Sequence, residues 1–97
     1  MVERIATQFD PEKIFLFGSQ ARGDANDDSD VDFLVVMDFK GTKIKKMVEI
    51  GVALHDFHIP MDILISTPEE FEWRKNYIGT IEWPAVHEGK LLYARAG

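Results

Sequence analysis

Asp30 and Asp32 stand one residue apart, and ten residues before them lies the pair Gly18-Ser19, in the run Gly-Ser-Gln-Ala-Arg-Gly-Asp-Ala-Asn-Asp-Asp-Ser-Asp-Val-Asp. Five carboxylates (Asp24, Asp27, Asp28, Asp30 and Asp32) crowd into nine positions of this run. Like charges that close repel unless water separates them or a cation binds them, so a metal site is the economical explanation. Side chains two apart on a strand project from the same face, which lets Asp30 and Asp32 grip the same ions. Asp62 is a carboxylate inside the otherwise apolar run Pro-Met-Asp-Ile-Leu, and a charge among buried neighbours is seldom kept unless it is paired or bound to metal. If its strand lies beside that of Asp32 and shows the same face, three carboxylates converge.

Hard carboxylate oxygens with open positions suit magnesium, with manganese as a substitute. Two such ions about 3.5 to 4 Å apart stabilise both the attacking and the leaving oxygen of an in-line phosphoryl displacement. Gly18 and Ser19 supply the other half of such a site. They follow a strand and open a turn through Gln20, Ala21 and Arg22, where free backbone N–H groups can face an anion and glycine lets a phosphate approach the main chain. The Ser19 hydroxyl and a charge-assisted contact from Arg22 add to that cradle. A triphosphate with two metals is therefore expected between this turn and the aspartates.

Rival motifs fail residue by residue. Gly18 and Gly23 have the spacing of P-loop glycines, but Asp24-Ala25 stand where Lys and Ser or Thr are required. An EF-hand beginning at Asp24 places Asn26 and Asp28 correctly, yet Ser29 replaces the turn glycine and Val35 the bidentate glutamate. A plain polar loop leaves both Asp62 and the glycine-serine pair unexplained.

The elements that must hold these residues follow from periodicity. Val2, Ile5, Ala6 and Phe9 predict a short amphipathic helix, ended by Asp10-Pro11. Strands are expected at Lys13 to Phe17, Asp30 to Met37 and Met61 to Ile65, with an edge strand at Leu91 to Tyr93. Thr42 to about Phe57 reads as a helix whose inner face carries Ile44, Met47, Val48, Gly51 and Leu54. Thr67 caps a further helix, with Pro68 in its first position and Glu70 as capping-box partner. The last helix lies near Thr80 to Glu88 and starts late enough to hold Pro84 in its first turn. The order α-β-β-α-β-α-α-β predicts an α+β (or α/β) domain with helices packed on a small mixed sheet, and the 97 residues allow one domain, 1–97, with a modest core.

Composition narrows the partners. Seventeen acidic against 11 basic residues give a formal charge of -6, which disfavours long DNA or RNA, because such binding runs on neutralisation of phosphates by Lys and Arg. A nucleotide escorted by magnesium remains acceptable. The absence of cysteine excludes disulfides, zinc-thiolate sites and thiol nucleophiles, and fits a reducing cytoplasm. No apolar run approaches a membrane span, and no signal-peptide pattern is present.

Leu-Phe-Gly-Ser-Gln-Ala-Arg-Gly, then Ser-Asp-Val-Asp-Phe-Leu-Val and Met-Asp-Ile-Leu, resembles the minimal nucleotidyltransferases of the DNA polymerase beta superfamily. The resemblance extends to Glu-Phe-Glu-Trp-Arg-Lys and to the ending Glu-Gly-Lys-Leu-Leu-Tyr, while Trp83-Pro84 departs from the family's helical ending. It implies a polymerase beta-like nucleotidyltransferase fold, an NTP substrate, with ATP favoured, and triphosphate binding at Gly18 and Ser19. It further implies that Asp30 and Asp32 hold both magnesium ions, and that Asp62 completes the catalytic metal site and favours deprotonation of an acceptor hydroxyl. Small proteins of this kind are commonly partners of helical HEPN proteins in toxin and antitoxin pairs, and some transfer AMP to a tyrosine of the toxin. A HEPN-family partner or a homo-oligomer is thus expected. Two alternatives stay open: an antitoxin or adaptor that acts by occlusion without catalysis, and a nucleotide sensor that never transfers.

Other residues carry milder expectations. His55 and His58 lack a third ligand at a zinc-site spacing and read as an ordinary helix-end pair. Lys40, Lys43, Lys45 and Lys46 read as a solvated face, with a phosphate or an acidic partner as the sharper reading. Phe71, Trp73, Tyr77 and Trp83 are read as core packing before a partner interface. Leu34, Val36 and Leu64 share strand parity with the aspartates, so an apolar surface needing a partner's cover is expected on the face that bears the acids.

Overall fold

The computed structural model describes residues 2–17, 31–57 and 61–95. Helix α1 (Val2–Phe9) leads into strand β1 (Lys13–Phe17), followed by β2 (Val31–Val36), helix α2 (Lys43–Ala53) and a 3-10 turn, His55–Phe57. Strand β3 (Met61–Ser66), helices α3 (Pro68–Arg74) and α4 (Glu82–His87), and strand β4 (Lys90–Ala94) follow, and among the described residues the helices and strands come in the order expected from periodicity. The strands form a four-stranded sheet in the order β3-β2-β1-β4. β1 runs antiparallel to β2 and to β4, whereas β2 and β3, joined through α2, are parallel. The sheet is mixed, as expected: β1 and β2 are joined by a reversal, whereas the links through α2 and through α3 and α4 are crossovers, the second carrying the chain from one edge of the sheet to the other.

Alternation along the strands divides the interior in two. Ile14, Phe33, Val35, Ile63 and Ile65 face α1 and α2, where Ile5, Ile50 and Leu54 close the layer. Phe15, Phe17, Leu34 and Val36 face the other way, against Phe71 of α3 and Ala85 of α4, with Phe15 and Phe71 stacked at 5.4 Å. Helices on both faces are what strands apolar on both sides require.

This arrangement corrects two expectations. Leu34 and Val36 are fully buried and Leu64 half-buried under the chain's own α3 and α4, so the face that carries the acids does not need a partner to cover them. On α2 the inner face is Met47, Ile50 and Leu54, and Ile44 and Val48 point outward, 74% and 59% exposed. Residues 47, 50 and 54 and residues 44, 48 and 52 both make valid helical stripes, and periodicity alone cannot rank them.

Local signals match their elements closely. The Thr42 side chain accepts a hydrogen bond from the Lys45 N–H at the start of α2. Thr67 and Glu70 form the reciprocal capping box at α3, with Pro68 in its first turn. Pro84 is the third residue of α4, where its missing N–H has no partner within the helix to lose. Gly89 is compelled by space: a Cβ there would lie 2.5 Å from the Leu16 carbonyl oxygen and 2.6 Å from that of Ala85. Gly51, in the third turn of α2, is the opposite case, with nothing within 4 Å of an added Cβ.

The capping box is tied to α2. Lys43 Nζ donates to Glu70 Oε2 at 2.8 Å, and this bond, opposed by partial burial and aided by the Thr67 backbone, holds the Glu70 carboxyl below the usual glutamate range. A carboxylate with a depressed folded-state pKa stabilises the fold above its unfolded pKa, and that contribution disappears as the pH falls through the folded value. Thermal midpoints of the parent and of Lys43→Met should therefore differ most near neutral pH and converge in strong acid. A gap that stayed constant with pH would assign the Lys43 contribution to packing of its alkyl chain.

Candidate active site

The strand register brings three positions into one row. Phe17 on β1 pairs with Asp32 on β2, and Asp32 pairs with Asp62 on β3. Residues in register on adjacent strands project from the same face, with backbones about 4.8 Å apart, so the two carboxylates are neighbours. They sit near the starts of β2 and β3, before the stretch that α3 and α4 cover, and both line a groove of about 780 Å³. Phe17, Leu64, Met47 and Gly51 line it as well.

Asp32 is half-buried and Asp62 exposed. The reason given from sequence for Asp62 therefore needs correcting. It is not a charge held among buried neighbours: β3 is an edge strand, and Asp62, one residue inside its start, faces solvent at the groove's lip. What marks it is its register with Asp32.

Asp30, Gly18, Ser19, Arg22 and His58 lie outside the described residues. Chain connectivity still orders the site, since Gly18-Ser19 follows Phe17 directly and Asp30 precedes β2. Among the described residues no group of three or more His, Cys, Asp or Glu is gathered for a metal ion. His55 is exposed, with Nδ1 3.0 Å from the Val52 carbonyl oxygen, the helix-end arrangement expected of it. Sequence reasoning missed Phe17 as a wall of the groove, although its place just before Gly18 was a signal. It also missed the outward side of α2, and no sequence signal separated that stripe from the buried one.

The other side chains considered from sequence sort by packing. Lys43 and Lys46 pair with Glu70 and Glu49, and Lys40 and Lys45 are exposed. Phe71 is core, Trp83 stacks on His87 at 4.7 Å, and Trp73 and Tyr77 are more than half exposed. No helix among the described residues is long and apolar enough to cross a membrane.

A mixed sheet with helices on both faces, Asp32 in register with Asp62 on the adjoining parallel strand, and a sequence that sets Gly18-Ser19 directly after β1 and Asp30 directly before β2 fit a polymerase beta-like nucleotidyltransferase fold. The family model for the nucleotidyltransferase domain matches residues 1–86, and the chain belongs to that family. It is similar to a "putative protein adenylyltransferase" of Methanocaldococcus jannaschii, 30% identical over 87 residues that cover 84% of this chain and 78% of that protein. The fold is similar to the crystal structure of a "putative nucleotidyltransferase" from Sulfolobus solfataricus. That match has a TM-score of 0.57 and 29% identity, covering 97% of this chain and 74% of the other. The protein is a nucleotidyltransferase, and its fold implies an NTP substrate.

Proposed function

We propose that the protein transfers AMP from ATP to a hydroxyl on a protein acceptor, with Asp30, Asp32 and Asp62 as metal-binding and catalytic residues and Gly18, Ser19 and Arg22 as the triphosphate cradle. The observation that carries this reading is the in-register pair Asp32 and Asp62 at the open end of the groove, flanked by the strand that runs into Gly18-Ser19. In the reaction, the acceptor oxygen forms a bond to the α-phosphorus and the bond from that phosphorus to the bridging oxygen breaks. Diphosphate leaves with the electron pair, and the hydroxyl proton passes to an Asp62 carboxylate oxygen or to water. Asp62 suits that role because it is solvent-facing at the lip and free to meet an incoming hydroxyl.

The donors fit magnesium, or manganese in its place: hard carboxylate oxygens, those of Asp32 and Asp62 on neighbouring strands in register, whose mutual repulsion a divalent cation relieves. When bound, two such ions supply charge neutralisation of the triphosphate and of the transition state. Similarity to the "putative protein adenylyltransferase" of Methanocaldococcus jannaschii supports a protein acceptor. A tyrosine of a HEPN-family toxin is the acceptor we favour, which would make this chain the antitoxin of a cytoplasmic pair. A purely occluding antitoxin or adaptor, alone or as a homo-oligomer, is the second reading, favoured by the exposed apolar side of α2.

Incubation with ATP labelled at the α-phosphate and magnesium, with and without a HEPN-type protein, separates the two. Label retained on the HEPN-type protein after denaturation is the expected result. Tight complex formation with no label transferred would instead support occlusion.

A further inference from the structure

Three features of α2 are unused by the fold. Ile44, Val48 and Val52 are 74%, 59% and 64% exposed and form one stripe at a spacing of four. Gly51 interrupts the helix interior, where glycine is less stable than alanine, yet no neighbouring atom among the described residues requires it. Lys40 and Lys45 are exposed at the helix's N-terminal end, and neither makes a salt bridge within 4 Å among the described residues, although Lys45 helps to hold the Glu49 carboxyl below its usual range. Internal packing accounts for none of the three. A glycine with open space above it suits the close approach of another molecule.

The groove that holds Asp32 and Asp62 continues over Gly51 and Val48 to Ile44. Because β2 and β3 are parallel, α2 runs back across the sheet face opposite the aspartates, so its C-terminal end and His55 come to the same end of the sheet as Asp32 and Asp62, and the groove joins them around the β3 edge while Ile44 and the lysines lie farther off. Ile44 to Val52 spans about 12 Å of helix. The placement on the sheet also has a direction. β1, which runs into Gly18-Ser19, flanks Asp32 on one side, and β3 with the groove flanks it on the other. In an in-line displacement the attacking oxygen enters opposite the leaving diphosphate. With diphosphate held on the β1 side, the hydroxyl must arrive from the β3 side.

We propose that the groove between α2 and the β3 edge is the dock for the acceptor polypeptide, an assignment that rests on the nucleotidyl-transfer reading above. Its occupant packs apolar side chains over Ile44, Val48 and Gly51, sets acidic residues against Lys40 and Lys45, and brings its hydroxyl to Asp62. The charge pattern fixes the orientation: acidic end toward the start of α2, acceptor hydroxyl toward its end. A second copy of this chain seated in the groove would cap Asp32 and Asp62, which the reaction needs open.

The probe is a fluorescein-labelled random copolymer of glutamate and tyrosine, an acidic polypeptide with aromatic hydroxyls, titrated with the full chain and read by polarisation. A lysine-tyrosine copolymer is the charge control, and ATP affinity is measured separately. Gly51→Leu fills the groove and Val48→Glu opposes the acidic ligand, and each should weaken copolymer binding about tenfold or more, with ATP affinity unchanged. Gly51→Leu should unfold at a temperature no lower than the parent, because its side chain enters open space and leucine favours helix. Equal binding by parent and variants, no binding by the parent, or preference for the lysine copolymer would overturn the dock. So would sedimentation showing a parent dimer that Gly51→Leu splits, since a second copy would then own the groove. If copolymer binding sorts as expected but no protein binds ATP, the nucleotidyl-transfer reading falls and the docking groove stands.

Discussion

Asp32→Asn and Asp62→Asn should each abolish transfer of labelled AMP in the presence of magnesium, while the domain stays folded. Both carboxylates occupy one row of the sheet at the groove's open end, and neither lies in the buried layers that hold the helices. Metal-assisted charge stabilisation at such a site is worth several kcal/mol, and at about 1.4 kcal/mol per factor of ten the loss is about a thousandfold or more. Without metal, either variant should melt at or above the parent's temperature, because one of two adjacent like charges has been removed. Asp38→Asn, an exposed acid beyond the end of β2, is the control and should retain full activity. Near-normal transfer by either site variant would refute two-metal catalysis here. The same substitution at Asp30, in Asp30→Asn, should give the same loss if it serves as the metal ligand proposed above.

Arg74→Met is the substitution expected to damage the fold most among those that leave the apolar core untouched. Glu82, the first residue of α4, is 1% exposed and accepts hydrogen bonds from Arg74 Nε at 3.0 Å and Ser66 Oγ at 2.9 Å. Ser66 ends β3 and is itself fully buried, so the network ties α3 and α4 to the strand that carries Asp62. Removing the guanidinium leaves a buried carboxylate with a single hydroxyl donor. Breaking a buried pair from one side typically costs 3–5 kcal/mol, and because Arg74 is 32% exposed the effect here should be about 2–4 kcal/mol. In a domain of this size that lowers the melting temperature by about 10 °C or more.

The double variant Arg74→Met with Glu82→Leu removes both charges and should recover most of the loss, since a buried pair is weak net stabilisation even though half of one is damaging. If Arg74→Met alone melted within about 2 °C of the parent, water would have to reach Glu82, contrary to its burial.

The sequence by itself determined the local structure and the chemical vocabulary of this protein. Lys13 to Phe17 is a strand because five consecutive apolar-rich residues end at a glycine, and α3 starts where Thr67, Pro68 and Glu70 supply its cap. These outcomes depend on neighbours along the chain, and such signals are legible without a fold. Asp32 at the start of β2 was likewise legible, since the apolar run that follows it marks the strand.

Tertiary structure decided the rest, because it depends on which elements meet. Parallel pairing of β2 with β3 put Asp62 beside Asp32, and the edge position of β3 exposed Asp62 where its apolar neighbours in sequence suggested burial. Packing of α3 and α4 over Leu34 and Val36 closed the surface that strand parity alone left open. On α2, where apolar residues occupy two valid stripes, contact with the sheet selected Met47, Ile50 and Leu54 and left Ile44, Val48 and Val52 in water. Periodicity reports that a helix has an apolar side; only its neighbours determine which of two such sides is inside.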